Sequence, residues 1–379
     1  MSSIAWLDTS AEDERRMREI VRMFSDTSTL DDLGIGQVRD GLADMMFPGT
    51  STIHARPRYF LIVPWLFQRA AAKYAGNVLV SKVNNEERRL IEVMRTPPAV
   101  DGMIGKRAGK SVRVLPSQIY WSALQRYGIL DATNYRWNVP IDPPPGFPAE
   151  LDRGLDLTED EAHWLRERIM QSCPGTYLAY LLNEVRNTDH DHVDFPWTHP
   201  ALMQAPSEIR NIVEHARLFS LGINGAALIY NLLIAERYDE LRTGNQSYVE
   251  WYRDALAEWA DEINADREAL DRWDLDDFWS VVVGGRGGNR VGPATKIFVD
   301  DWFTRLRATD AHTLATTAEI RTVIAERERK NKGEQSRLAN DRLIKNWLGA
   351  SGARRLTYRW GTVHRMLIDI RGGLDNARA

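Results

Sequence analysis

The stretch Leu30–Phe67, LDDLGIGQVRDGLADMMFPGTSTIHARPRYFLIVPWLF, decides how the rest of the chain is read. Gly34, Gly36 and Gly41 punctuate its first half, and the turn Phe47-Pro48-Gly49-Thr50-Ser51-Thr52 divides it. Leu30, Leu33, Ile35, Val38, Leu42, Met45 and Met46 recur at helical spacing, which predicts one or two short helices broken near Gly34-Ile35-Gly36. Two short helices about a glycine turn are also the outline of a helix-turn-helix. The second half is an apolar run from Tyr59 to Phe67. Pro64 removes a backbone donor inside it, so the run predicts one kinked helix or two, placed in the core. Arg56 and Arg58 lie beside a turn rich in Gly, Ser and Thr, whose hydroxyls and N–H groups suit a phosphate. Ion pairs to Asp40 or Asp44 are the alternative use of these two cations.

Outward from this stretch, the composition bounds the class. The chain has 379 residues, of which 43% are hydrophobic and 27% charged, the balance of an ordinary globular protein with a substantial core. A net charge of -4 excludes a protein that coats nucleic acid by bulk charge, but leaves room for a basic patch on an acidic body. One cysteine, Cys173, excludes an intrachain disulfide and a thiolate metal cluster, in keeping with a reducing compartment. The start, MSSIAWLDTSAEDERR, lacks the basic and apolar regions of a secretory signal. Leu218–Ala235, LFSLGINGAALIYNLLIA, is the most membrane-like segment. Asn224 and Asn231 interrupt it, so a buried core helix is expected and no membrane is. A cytoplasmic protein follows from these readings.

Helix signals dominate the chain. Ser10 with Glu12, Asp13 and Glu14 predicts a capped first helix carrying Met17, Ile20, Val21 and Phe24. Asn84 or Asn85 is the expected cap of another, and Ser117 that of a third, which Gly128 ends. Between them lies a basic, glycine-bearing loop with Lys106, Arg107, Lys110 and Arg113. Its GKRAGKS is not a nucleotide-binding P-loop, because position 104 is Ile rather than Gly and no strand precedes it. A loop that meets phosphates is the functional reading, a solvated loop the plain one. Pro140–Glu150, PIDPPPGFPAE, marks a linker. Thr158-Glu159-Asp160-Glu161 then forms a capping box, opening a helix that runs to about Cys173. A further helix is expected over 177–186.

Asp189–His199, DHDHVDFPWTH, crowds potential metal ligands, but their spacing matches no metal motif. Val281–Pro293, with Arg286, Asn289 and Arg290, lacks dinucleotide-binding spacing and predicts a hinge. The charge layout is more telling. Glu236–Asp277 holds 14 acidic against 5 basic residues and is interleaved with Trp251, Tyr252, Trp259 and Trp273. Arg321–Arg365 holds 12 basic against 4 acidic residues, with Trp347, Tyr358 and Trp360 among them. A basic face with interleaved aromatics is what phosphate gripping and base stacking require. Arg329, Lys330, Lys332, Arg337, Arg342, Arg354 and Arg355 are its candidate contacts.

Four segments together carry a family resemblance: residues 30–65 of the opening stretch, IGKRAGKSVRVLPSQIYWSALQRYGI, KGEQSRLANDRLIKNWLG and LTYRWGTVHRMLIDI. The chain resembles a bacterial family of about this length known only as a domain of unknown function. The resemblance implies a place among helicase and phospholipase-D-like genes in anti-phage defence islands. It implies no catalytic residues.

The expectation is therefore a mainly α protein. It has an N-terminal multi-helix domain (1–139), a proline-rich linker (140–150), a central helical domain with an acidic face (151–283) and a basic helical region (284–379). Its expected function is a nucleic-acid-binding accessory component, with DNA as the favoured polymer, of a multi-protein defence complex that includes a protein such as a helicase. Arg56, Arg58, the 106–113 loop and the 327–359 face are its expected contacts. No catalytic residue, metal or cofactor is assigned. The alternatives are a metal-dependent nuclease built on 189–199, and an adaptor that docks a partner enzyme through its acidic, Trp-rich helices.

Overall fold

The computed structural model describes residues 31–96, 98–131, 133, 136–186, 193–241, 248–284 and 291–375. The expected first helix, the 189–192 ligand cluster and Arg286, Asn289 and Arg290 lie outside the described residues. Among those described, the architecture is mainly α, with fourteen α-helices, short 3-10 turns and no strand beyond a single bridge between Leu130 and Trp137.

The opening stretch forms α1 (Gly36–Met46) and α2 (Tyr59–Ala71). Of the one or two helices expected, residues 31–46 hold one. Asp31 folds its carboxylate back onto the N–H groups of Ile35 (2.8 Å) and Gly36 (2.6 Å), which supplies the start signal. Tyr59–Phe67 is buried throughout and only the last turn of α2, with Gln68 and Arg69, is exposed, so no helix-turn-helix forms here: a single helix follows Gly34 and the next one lies in the core. Pro64 sits inside a single helix.

Next come α3 (Gly76–Arg95) and α4 (Pro116–Arg126). Asn84 and Asn85 are interior to α3 rather than caps. Ser117 lies in the first turn of α4, where Glu87 of α3 accepts from its backbone N–H (2.6 Å) and its hydroxyl (2.8 Å). The capping box appears as read. It opens α5 (Glu159–Ser172), with Thr158 and Glu161 exchanging side-chain to backbone hydrogen bonds at 3.0 and 3.3 Å. The short α6 (Tyr177–Asn183) follows.

The central element is α7 (Ser207–Leu241), 35 residues or about 50 Å long. It is long and apolar enough to cross a membrane, yet its apolar stretch is buried by protein. α8 (Tyr248–Ala265) runs back along it. Gly225 and Gly222 make close approach possible, because a Cβ at either would collide with the rings of Trp259 and Phe303. Trp259 and Trp302 donate their indole N–H groups to the carbonyls of Leu221 (2.8 Å) and Gly222 (3.0 Å).

Short α9 (Arg267–Arg272) and α10 (Leu275–Gly284) lead to α11 (Pro293–Ala308), α12 (Ala318–Lys332) and α13 (Asp341–Ile344). Residues 349–358 then run along α7 as irregular backbone. Ser220, Asn224 and Asn231 explain their presence in an apolar helix here. Their side chains donate to the carbonyls of Leu356 (2.9 Å), Ala353 (2.9 Å) and Ser351 (2.7 Å). Buried backbone without a ladder partner is satisfied by side chains instead. α14 (Trp360–Asp375) closes the fold against α5. One buried apolar cluster extends from Leu33 to Leu374.

Candidate nucleic-acid interface

Five of the expected phosphate contacts are committed to partners inside the protein. Arg58 is 1% exposed; its guanidinium donates to the carbonyls of Asp152 (2.6 Å) and Gly154 (2.8 Å) and pairs with Glu161 (2.8 Å). Glu161 thus closes the α5 capping box with one oxygen and holds Arg58 with the other. Arg56 pairs with Asp369 of α14 and with Asp156, each at 2.6 Å, and donates to the carbonyl of Asp101. Neither arginine pairs with Asp40 or Asp44; Asp44 takes Arg359 instead. For Arg58 the phosphate-contact reading is corrected, because a buried cation with its own counter-ion has no surface to offer. Arg56 is an internal tie as well.

The same holds for much of the C-terminal basic region. Asp32 gathers Lys332 (2.6 Å), Arg337 (2.9 Å) and the hydroxyl of Ser351 on one carboxylate. Burial alone raises the Asp32 pKa, but the bonds from Lys332 and Ser351 and the charge of Arg337 outweigh it and leave the acid below its usual value. Arg337 also reaches the hydroxyls of Tyr230 and Ser351. One turn earlier, Arg327 donates to the carbonyls of Leu33 (2.7 Å), Gly34 (3.3 Å) and Ala294 (3.1 Å). Asn331 reaches the carbonyl of Asp31. Lys332 and Arg337 therefore fasten Asp32 to the end of α12 and the turn after it, and their reading as phosphate contacts is corrected on that ground. Arg355 pairs with Glu262 (2.5 Å) and lies over the rings of Phe195 and Trp197. Trp347, Tyr358 and Trp360 are buried, so they are not stacking platforms.

The 106–113 loop is different. Lys106, Arg107, Lys110 and Arg113 are all exposed. Lys106 lies 3.7 Å from Asp101, while Arg107, Lys110 and Arg113 have no ion pair among the described residues. The loop backbone is nonetheless fixed. Ile104 N–H donates to the Tyr59 hydroxyl (3.0 Å), Gly109 N–H to the Gly105 carbonyl (2.8 Å), and Arg88 donates to the carbonyl of Val112 (3.1 Å). Gly105 and Gly109 take positive φ angles of 82° and 55°, a conformation that favours glycine, and Gly109 packs on Glu92 and Arg95 of α3. A loop whose backbone is already ordered loses little entropy on meeting a ligand. The first N–H groups of α4 are occupied by Gln118 and Glu87, so an anion here would be held by side chains, not by the helix dipole.

The other exposed candidates are Arg329, Lys330, Arg342 and Arg354. Lys330 pairs with Glu326, and Arg342 adjoins Asp341, which holds Arg237. Among the described residues no three His, Cys, Asp or Glu side chains gather as a metal site. His199 accepts a hydrogen bond from the Ala201 N–H, and His215 lies between Asp277 (3.0 Å) and the Trp273 indole (2.8 Å). The sequence reading missed the Asp32 cluster entirely; nothing local in LDDLG announces partners some 300 residues away.

The geometry defines an all-helical protein with a rigid basic loop on its surface and no assembled catalytic constellation among the described residues. Residues 1–373 match the family of unknown function DUF6361, and the chain belongs to that family. No curated protein and no solved structure matches it.

Proposed function

We propose that this chain is a nucleic-acid-binding accessory component that grips phosphates through Lys106, Arg107, Lys110 and Arg113. One observation carries the reading: four cations stand within eight residues on a backbone tied to α2 and α3, and three of them have no internal counter-ion. Each phosphate neutralised releases counter-ions, so binding weakens steeply with salt. A setting in bacterial anti-phage defence, beside a partner such as a helicase, rests on the family resemblance alone. The test is the salt dependence of oligonucleotide binding by the purified chain. Charge reversal of the four loop residues should abolish binding or reduce the logarithmic salt slope by about 3 to 4. An unchanged slope sinks the proposal.

A second reading is favoured by α8. Trp251 is 55% exposed, and Glu250, Asp254 and Glu258 recur around it four residues apart with no ion pair among the described residues. Like charges four residues apart weaken a helix by a few tenths of a kcal/mol each, which a basic partner would reverse. In that reading α8 docks a partner enzyme, and binding to it is lost on Trp251→Ala. Trp259, buried and bonded to α7, takes no part.

A further inference from the structure

An open cleft of about 470 Å³ lies where the segment after the Leu130–Trp137 bridge faces α5. Trp137 and Trp164 line it, with Arg136, Asn138, Arg168 and Gln171 and one acidic residue, Glu167. Both tryptophans are only partly buried, and neither indole N–H has a partner among the described residues. Trp65, Trp259, Trp273, Trp279, Trp302 and Trp360 each donate to a protein acceptor, whereas the indole N–H groups of Trp121 and Trp347 are unpartnered but buried, out of reach of a ligand. The rim is shaped from within. Trp137 packs on Phe67 (5.1 Å between ring centres) and, edge-on, on Trp121 (6.0 Å). Arg168 and Asn138 both donate to the carbonyl of Gly128, at 2.6 and 3.1 Å. The Nε of Arg168 is buried without a partner.

The position of the cleft matters as much as its lining. α4 starts where the basic loop ends and finishes at Arg126, two residues before Gly128. Its 11 residues span about 16 Å, a distance that a few nucleotides of single strand cover. Arg126 is exposed at that end and has no ion pair among the described residues. Cations thus stand at both ends of one rigid helix, with an aromatic cleft at the far end. A flat, hydrogen-bonding group on a polyanion fits this arrangement.

We propose that the cleft takes an unstacked base of a single-stranded nucleic acid, against Trp137 and Trp164, while the 106–113 loop holds phosphates further along the same strand. The inference rests on the phosphate-gripping reading and names its substrate as single-stranded. A base still stacked in a duplex cannot enter the cleft. Aromatic stacking is tolerant of base identity, so little sequence preference is expected.

The experiment compares an oligo-dT strand, an abasic strand of equal length and the matching duplex, by fluorescence anisotropy at one salt concentration. Wild type should bind oligo-dT about tenfold more tightly than the abasic strand. Trp164→Ala should remove that preference and leave abasic binding unchanged. Trp137→Phe, which keeps a ring against Phe67, should retain most of the preference. A 5-bromouracil strand should photocrosslink to the peptide containing Trp137 or Trp164, a readout independent of any variant's folding. Equal binding of oligo-dT and abasic strands overturns the cleft while leaving the loop's role standing. Tighter binding of the duplex overturns the single-strand assignment. No binding of any strand overturns both readings, and crosslinks confined to other peptides overturn the cleft alone.

Discussion

Replacing Asp32 with alanine takes the counter-ion from Lys332 and Arg337 at once. The Asp32 and Lys332 side chains are each 13% exposed and that of Arg337 is 27% exposed, so water compensates only in part. Hydrogen bonds to charged groups contribute about 1.5–3 kcal/mol each, and breaking a buried pair from one side costs about 3–5 kcal/mol. Arg337 keeps Tyr230 and Ser351, which holds the expected loss to about 3 kcal/mol. Unfolding entropy near 2.1 cal/mol/K per residue gives about 0.8 kcal/mol per degree for 379 residues, hence a fall in Tm of about 4 °C. The assay is urea unfolding of Asp32→Ala, Lys332→Ala and the double variant. The double variant should be less destabilised than the sum of the singles by about 1 kcal/mol or more. Additive losses, or an Asp32→Ala protein as stable as wild type, refute the claim that these cations serve as internal anchors.

Four other outcomes are expected. Arg58→Met strands Glu161 in the core and should cost about 3–5 kcal/mol, with much of the loss recovered in Arg58→Met/Glu161→Gln, which chemical denaturation will show. Burial pushes Glu87 up to about 7, so its share of stability is full below about pH 4.5 and falls by roughly 3 kcal/mol as pH rises through 7. Glu87→Gln should remove that contribution, while both bonds to Ser117 remain available to the amide; a variant whose stability runs parallel to wild type from pH 4.5 to 7 contradicts it. Burial holds His54 down at about 4, so its share is present above about pH 6.5 and is lost as pH falls through 4. Its slope opposes that of Glu87 between those values, so wild-type stability should be flatter there than that of Glu87→Gln. Finally, Trp259→Ala should lose about 3–5 kcal/mol and Trp251→Ala under about 0.5 kcal/mol in thermal unfolding, which separates the core tryptophan from the exposed one.

What could be read in advance follows the range of the interactions. The T-x-x-E box at Thr158 is a contact between residues three apart, and it formed as expected. The mainly helical class and the burial of α7 follow from periodicity and from asparagines in an apolar run. The uses of the cations do not. Arg58 finds Glu161 across 103 residues and Arg337 finds Asp32 across 305, and a charge count cannot tell an anchoring arginine from a binding one. Net positive charge over 321–365 therefore overstated the basic surface, since Arg327, Lys332, Arg337 and Arg355 spend their donors on internal groups. A faint signal was present at Ser220, Asn224 and Asn231. Their spacing of four and seven residues sets a polar line on one face of α7, where the backbone of 349–358 lies. The cleft at Trp137 and Trp164 had no signal of this kind, because its two walls meet only in the folded chain.

Under the proposed function the basic loop, not the C-terminal basic region, meets the phosphates. Amine-reactive labelling with mass spectrometry, in the presence and absence of a saturating oligo-dT strand, tests it within one sample. Lys106 and Lys110 should be protected by the strand, Lys330 and Lys345 should label equally in both states, and Lys332, bound to Asp32, should label slowly throughout. Protection of Lys330 and Lys345 with unchanged labelling of Lys106 and Lys110 would contradict the claim.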